Sequence, residues 1–263
     1  MISDHSCACL AIYDWDANID VSEFHEVAKS FFAANGVKPN VAGLDRLDGR
    51  SLTQSYTSIE ERLRWQSPRE FNGLDLYHTL PNYAQLIFGW DVTASMDIYR
   101  GKTMYFCCDQ ALSGVSFEYF ERLLERAAIL IKLNYAIGYL RQFELGPAIY
   151  ASGMVTGLGY SDEEMAEADR IGSWFRERLA RKRHLSGHLR DVYPLNVLSG
   201  PHLSQRVGGL PLADWIGQSR AHGTLRSLTG GAAVWRIEES NVDHVRAELA
   251  KTGLLIAYPP SSA

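Results

Sequence analysis

Residues 190–216 read RDVYPLNVLSGPHLSQRVGGLPLADWI, the most closely punctuated run of the chain. Val192, Leu195, Val197 and Leu198 form an apolar block of strand character. Gly200-Pro201 breaks it, and Gly208-Gly209 with Pro211 breaks the helical stretch that follows. Leu212, Trp215 and Ile216 are spaced to bury one face of a short helix. A strand and two helix starts in one run point to an α+β fold. The residue types are those of structure: Pro201, Gly208, Gly209 and Pro211 set turns, and Asp191 and Asn196 satisfy nearby backbone groups.

Working outward, strands, hairpins and helices recur in both halves. Residues 8–13 predict a strand, followed by a polar turn, DWDANID, that places Trp15 at the surface. Residues 21–34 predict a helix with Phe24, Val27, Ala28, Phe31 and Phe32 on one stripe, Ser22 as N-cap and Gly36 at its C-terminal end. Residues 45–56 read as a hairpin about Asp48-Gly49. A short helix over 57–65, a loop with some extended structure over 66–83 and a long extended region over 84–99 follow. Arg100-Gly101 turns this region into a strand over 104–108, and 117–137 reads as one long helix. Residues 148–159 alternate as a strand. Ser161 then opens a helix running to about Lys182, with Glu164 completing a capping box. Residues 224–228 and 232–237 pair across Gly230-Gly231; 241–251 form a helix ended by Gly253, and 254–258 a last strand. The expectation is a single α+β domain over 1–263: a mixed, largely antiparallel sheet with helices packed on one face, in two similar lobes, 1–137 and 138–263.

Composition narrows the function classes. Against 31 acidic residues stand 26 basic ones, a net charge of −5 that argues against a phosphate-binding footprint. No nucleic-acid partner is expected. The N-terminal MISDHSCACL lacks a basic segment followed by a long apolar one, and no run approaches the roughly 18 apolar residues of a membrane span, so a cytoplasmic protein with no membrane partner is expected. The four cysteines, Cys7, Cys9, Cys107 and Cys108, lack zinc-knuckle spacing and read as buried free thiols.

Four constellations could carry chemistry. His184-x3-His188, with His202 and Asp191, offers a ligand set for a metal-dependent or nucleotide-handling enzyme. Ser186-Gly187 interrupts the pair, however, and RKRHLSGHLR reads more simply as a solvated basic loop. Gly153, Gly157 and Gly159 precede a helix start but lack a phosphate-binding signature, and Asp162-Glu163-Glu164 would repel an anion there. No nucleophile elbow is present. The acids Asp14, Asp16, Asp162, Glu163, Glu164 and Glu167 sit beside turns or at a helix start. With Trp15, and with Trp65 and Trp90 as further aromatic anchors, they make a candidate partner-binding surface. No catalytic residue, cofactor or metal is expected on this reading.

One resemblance rests on the order of the second half. LNYAIGYL (133–140) leads to PAIYASGMVTGLGY (147–160), then a charged helix, RDVYPLNVLSGPHL (190–203) and GGLPLADWI (208–216). A hairpin carrying VWRI (234–237), a helix and LLI (254–256) close it. This layout, over about 135–258, resembles the immunity-protein families of bacterial polymorphic-toxin and type VI secretion competition systems. The resemblance implies a cytoplasmic or periplasmic, non-enzymatic binder of a cognate protein toxin, without cofactor, and the N-terminus favours the cytoplasm. A basic nuclease would suit the acidic balance, since charge complementarity speeds encounter. A structural or phage-associated protein with no small ligand is the remaining alternative.

Overall fold

The computed structural model describes residues 6–16, 19–79, 91–99, 101–154 and 161–258. Twelve strands occur among them: β1 (Ser6–Tyr13), β2 (Val41–Arg46), β3 (Ser51–Ser55), β4 (Phe71–His78), β5 (Val92–Asp97), β6 (Thr103–Asp109), β7 (Tyr135–Gln142), β8 (Leu195–Leu198), β9 (Arg206–Val207), β10 (Leu210–Pro211), β11 (Thr224–Ser227) and β12 (Ala233–Arg236). The helices are α1 (Val21–Ala34), α2 (Tyr56–Trp65), α3 (Phe117–Leu130), α4 (Pro147–Ser152), α5 (Asp162–Arg176), α6 (Gly200–Leu203), α7 (Leu212–Gly217) and α8 (Glu239–Ala250). Ten strands make one sheet in the order β11-β12-β8-β7-β1-β6-β5-β4-β2-β3, while β9 and β10 pair apart. The fold is α+β, as the sequence indicates. Every ladder between named strands is antiparallel, so the sheet is not mixed; a lone parallel bridge joins Leu189 to Leu255.

The two halves of the chain meet at the β1–β7 pair, with Tyr13 opposite Tyr135 and Cys9 opposite Tyr139. Apolar side chains fill both faces of β1. Ala8, Leu10 and Ile12 join a core with Phe24 and Phe31 of α1 and Phe120 of α3, whereas Cys7, Cys9, Ala11 and Tyr13 join a second core with α4, α5, α7 and α8. Helices therefore cover both faces rather than one. A strand apolar at successive positions cannot leave either side in water. All four cysteines are buried free thiols; Cys107 and Cys108 point to opposite faces.

Local signals place much of this. α1 carries the expected stripe, though Asp20 and not Ser22 is its N-cap: Asp20 Oδ1 accepts from the amides of Ser22 (2.9 Å) and Glu23 (3.1 Å), and Glu23 reaches back to the Asp20 amide. The hairpin about Gly49 and the capping box of Ser161 and Glu164 also form.

Four segments differ from expectation. Residues 135–142 are the strand β7 and not the end of a helix, because α3 stops at Leu130 and Ile131 turns extended. Residues 147–152 form α4, which Gly146 in the left-handed region and Pro147 at the first helical position start together. Phe71–His78 is a full strand between β2 and β5, and 254–258 close in turns rather than a named strand. Trp90, Arg100, Gly157 and Gly159, with residues 84–90 of the extended region, lie outside the described residues. No described helix is long and apolar enough to cross a membrane.

Candidate functional site

Polar groups of the second core gather where α4, α5 and α8 approach the ends of β1 and β7. Arg190, 2 % exposed, is their centre. Its Nη1 donates to Tyr13 Oη (3.1 Å) and the Ala151 carbonyl (3.4 Å), and Nη2 donates to the Tyr150 carbonyl (2.7 Å). The guanidinium lies 4.0 Å from the centroid of the Tyr150 ring and 5.3 Å from that of Trp174. Carbonyl dipoles, a phenol and two π faces thus meet this buried cation, each worth more in a desolvated setting than in water.

The tyrosines around Arg190 are themselves tied down. Tyr13 donates to the Ala151 carbonyl (2.7 Å), Tyr139 donates to the Pro147 carbonyl (2.6 Å), and the hydroxyls of Tyr150 and Tyr193 share a bond of 2.8 Å. The Tyr135 hydroxyl accepts from the Arg190 amide at 2.8 Å. Burial pushes the phenols of Tyr13, Tyr135, Tyr139 and Tyr193 above the ordinary tyrosine range, so they stay neutral.

Above this floor open two adjoining clefts of about 230 and 280 Å³ that share Tyr150, Asp191, Tyr193 and Arg246. Glu167 of α5 enters the first, pairing with Arg141 at 2.7 Å; Arg141 in turn lies 4.4 Å over the Tyr150 ring. Asp191 pairs with Arg246 at 2.8 Å, and burial outweighs that partner to raise the aspartate above its ordinary value. Glu239 and Asp243 are exposed on α8, the latter paired with Arg246, so carboxylates alternate with the guanidinium groups of Arg141, Arg170 and Arg246 around the clefts. Both volumes fall below the roughly 300–1,000 Å³ of clefts that enclose a drug-sized ligand.

The expected partner-binding residues do not form one patch. Of the α5 acids, Glu167 reaches the cleft, Glu164 closes the capping box, and Asp162 and Glu163 stand exposed in the first turn. Asp14, Trp15 and Asp16 lie elsewhere. Asp14, at φ 47°, accepts from His184 Nε2 at 2.8 Å and has Lys182 Nζ at 3.5 Å. Burial alone would raise its carboxyl; the His184 bond with the Lys182 and Arg178 charges holds it below the ordinary range. Trp15 is 1 % exposed and not at the surface, because its side chain joins the first core. Asp16 stays exposed beside Lys132, at 3.5 Å. Trp65 is 87 % exposed, as an interface anchor requires.

The histidine ligand set does not assemble. His184 is fully buried against Asp14, His202 Nδ1 bonds the Ser199 hydroxyl at 3.0 Å, and Asp191 faces Arg246. Among the described residues, these four form no group of three ligand atoms within 4.8 Å. Burial, with the neighbouring His184 and His188, pushes His202 down to about 4, and its ring stacks on Tyr135 at 5.2 Å. RKRHLSGHLR is accordingly no solvated loop. Glu177 pins it through Arg181 (3.1 Å) and Arg183 (2.7 Å), and His184 plugs the core.

A second acidic feature escaped sequence reasoning. Asp45, Asp75 and Asp97 stand within β2, β4 and β5 on the second face of the sheet. Gly73 lies between Asp45 and Asp97 in register, and Gly43 is opposite Asp75. A Cβ on Gly73 would come within 3.0 Å of Asp45 Oδ2, so the glycine makes room for the carboxylate. Aspartate is depleted in strands, and one inside each of three strand segments was the available signal.

No family model matches the chain, and no curated protein matches it. Among solved structures, the Pseudomonas aeruginosa T6SS protein PA0821 is similar in fold, with a TM-score of 0.55 at 10 % identity. The match covers 98 % of this chain and 76 % of that one.

Proposed function

We propose that this chain is a toxin-neutralising immunity protein of a type VI secretion competition system, acting in the cytoplasm by binding and not by catalysis. The observation that carries the reading is the double cleft with a tyrosine–arginine floor and a rim of paired charges that includes Glu167, Glu239 and Asp243. A floor of hydrogen-bonded tyrosines costs little conformational entropy when a partner docks, the property that concentrates binding energy in a few aromatic positions. The exposed carboxylates of Glu239 and Asp243 favour a basic partner and help select its register. The net charge of −5 adds to that field. The fold likeness to a T6SS protein supports the choice of system.

Co-expression with each toxin-like product encoded beside this gene tests the reading. Cell survival and a one-to-one complex on gel filtration are the expected results. Reversing the rim with Glu167→Lys and Asp243→Lys slows association by about tenfold or more and weakens its salt dependence. Absence of both rescue and complex for every neighbouring toxin sinks the proposal.

A further inference from the structure

Away from the cleft, His222, His244 and Glu248 bring three ligand atoms within 4.8 Å of one another. Glu248 Oε1 lies 3.2 Å from His244 Nε2, and Glu248 Oε2 lies 3.6 Å from His222 Nε2. Zinc bonds of about 2.0–2.2 Å to nitrogen and oxygen, at tetrahedral angles, separate neighbouring ligand atoms by about 3.4 Å. The two observed separations, each to a different oxygen of Glu248, lie near that value.

The surroundings orient the ligands. His222 Nδ1 donates to the Trp215 carbonyl at 2.8 Å, which fixes the tautomer and leaves the Nε2 lone pair directed at Glu248. This carbonyl-to-imidazole bond is the support a ligating histidine ordinarily has. The ring is clamped further by stacking on Trp215, with centroids 3.7 Å apart, while Trp235 Nε1 donates to the His222 carbonyl at 2.7 Å. Gly223 follows at φ 95°, where a Cβ would lie 2.1 Å from the Arg236 carbonyl, so the backbone is held against β12. His244 and Glu248 are one helical turn apart on α8, which sets them side by side.

We propose that His222, His244 and Glu248 form a divalent transition-metal site, taking Zn²⁺ through two imidazoles and one carboxylate with water in the fourth position. The side chain of His244 is 56 % exposed, so the ion enters from solvent. Two imidazoles with one carboxylate suit zinc, and copper and nickel compete for such a set. A bound ion ties α8 to the turn at 220–222, and so braces the helix that carries Glu239, Asp243 and Arg246.

Titration of the metal-stripped full chain with Zn²⁺ alone, followed by calorimetry and by elemental analysis after gel filtration, tests the site. One equivalent of Zn²⁺ and a rise in melting temperature are expected. His244→Ala and Glu248→Gln, both at partly exposed helix positions that leave the core intact, each weaken binding by about tenfold or more and abolish the thermal shift. His188→Ala leaves both unchanged. Failure to retain Zn²⁺, or equal retention by His244→Ala, overturns the assignment.

Discussion

Replacing Asp75 with asparagine stabilises the protein at neutral pH by as much as about 3 kcal/mol. Burial is the main reason its pKa rises from 3.8 to about 6; Asp45 and Asp97 add repulsion, and the Ser95 hydroxyl, at 2.5 Å, opposes them. Between those two pH values the folded state holds a proton that the unfolded state has released. Stability therefore falls as pH rises through that window and levels off above it. At about 1.36 kcal/mol per pH unit, the cost of the folded carboxylate is about 3 kcal/mol. Asparagine keeps a hydrogen bond with Ser95 and has no charge to bury. Urea unfolding of both proteins from pH 4 to pH 8 reads the effect. The difference is smallest at pH 4 and reaches its plateau above pH 6. A difference that does not change with pH refutes the reasoning.

Arg190→Lys loses the fork that serves Tyr13 and Tyr150 together, and costs about 1.5–3 kcal/mol in denaturant unfolding. Gly138→Ala drives a Cβ to within 2.9 Å of Leu195 Cβ and 3.2 Å of the Phe117 ring, lowering stability by about 1–3 kcal/mol. Asp14→Asn, which tolerates the left-handed backbone as aspartate does, costs about 1–3 kcal/mol at pH 7. Because the folded Asp14 carboxyl lies below its ordinary value, that loss shrinks as pH falls below 3.8. Trp15→Ala costs about 3–5 kcal/mol, whereas Trp65→Ala stays within about 0.5 kcal/mol of the parent in the same unfolding assay.

Elements whose cause is local were legible: the apolar stripe of α1, the tight turn at Gly49, and the Ser161 capping box. The run YAIGYL was not, since a short stretch buried on both faces has no helix-versus-strand period of its own. Only its place between β1 and β8 makes it a strand. Residues 147–152 misled for the opposite reason, because Gly146-Pro147 decides the local conformation over the loose alternation that follows. The cleft was hidden because Tyr13, Tyr150, Glu167, Arg190 and Arg246 meet only once the sheet and its helices are assembled. The α5 acids pointed near it through Glu167. Arg190 was overlooked because the run it opens carries turn and core residues, the kind that signal structure.

The position of β1 has a consequence for how the protein is made. β1, the first of the described strands, sits at the middle of the sheet between β6 and β7, so its two edges are satisfied by later segments ending at residues 109 and 142. Until β7 has been synthesised, one edge of β1 offers unpaired amides and carbonyls to any extended chain nearby. Such distant pairing also folds slowly, because long loops must close before their contacts form. The nascent first half is thus an open template awaiting its complement.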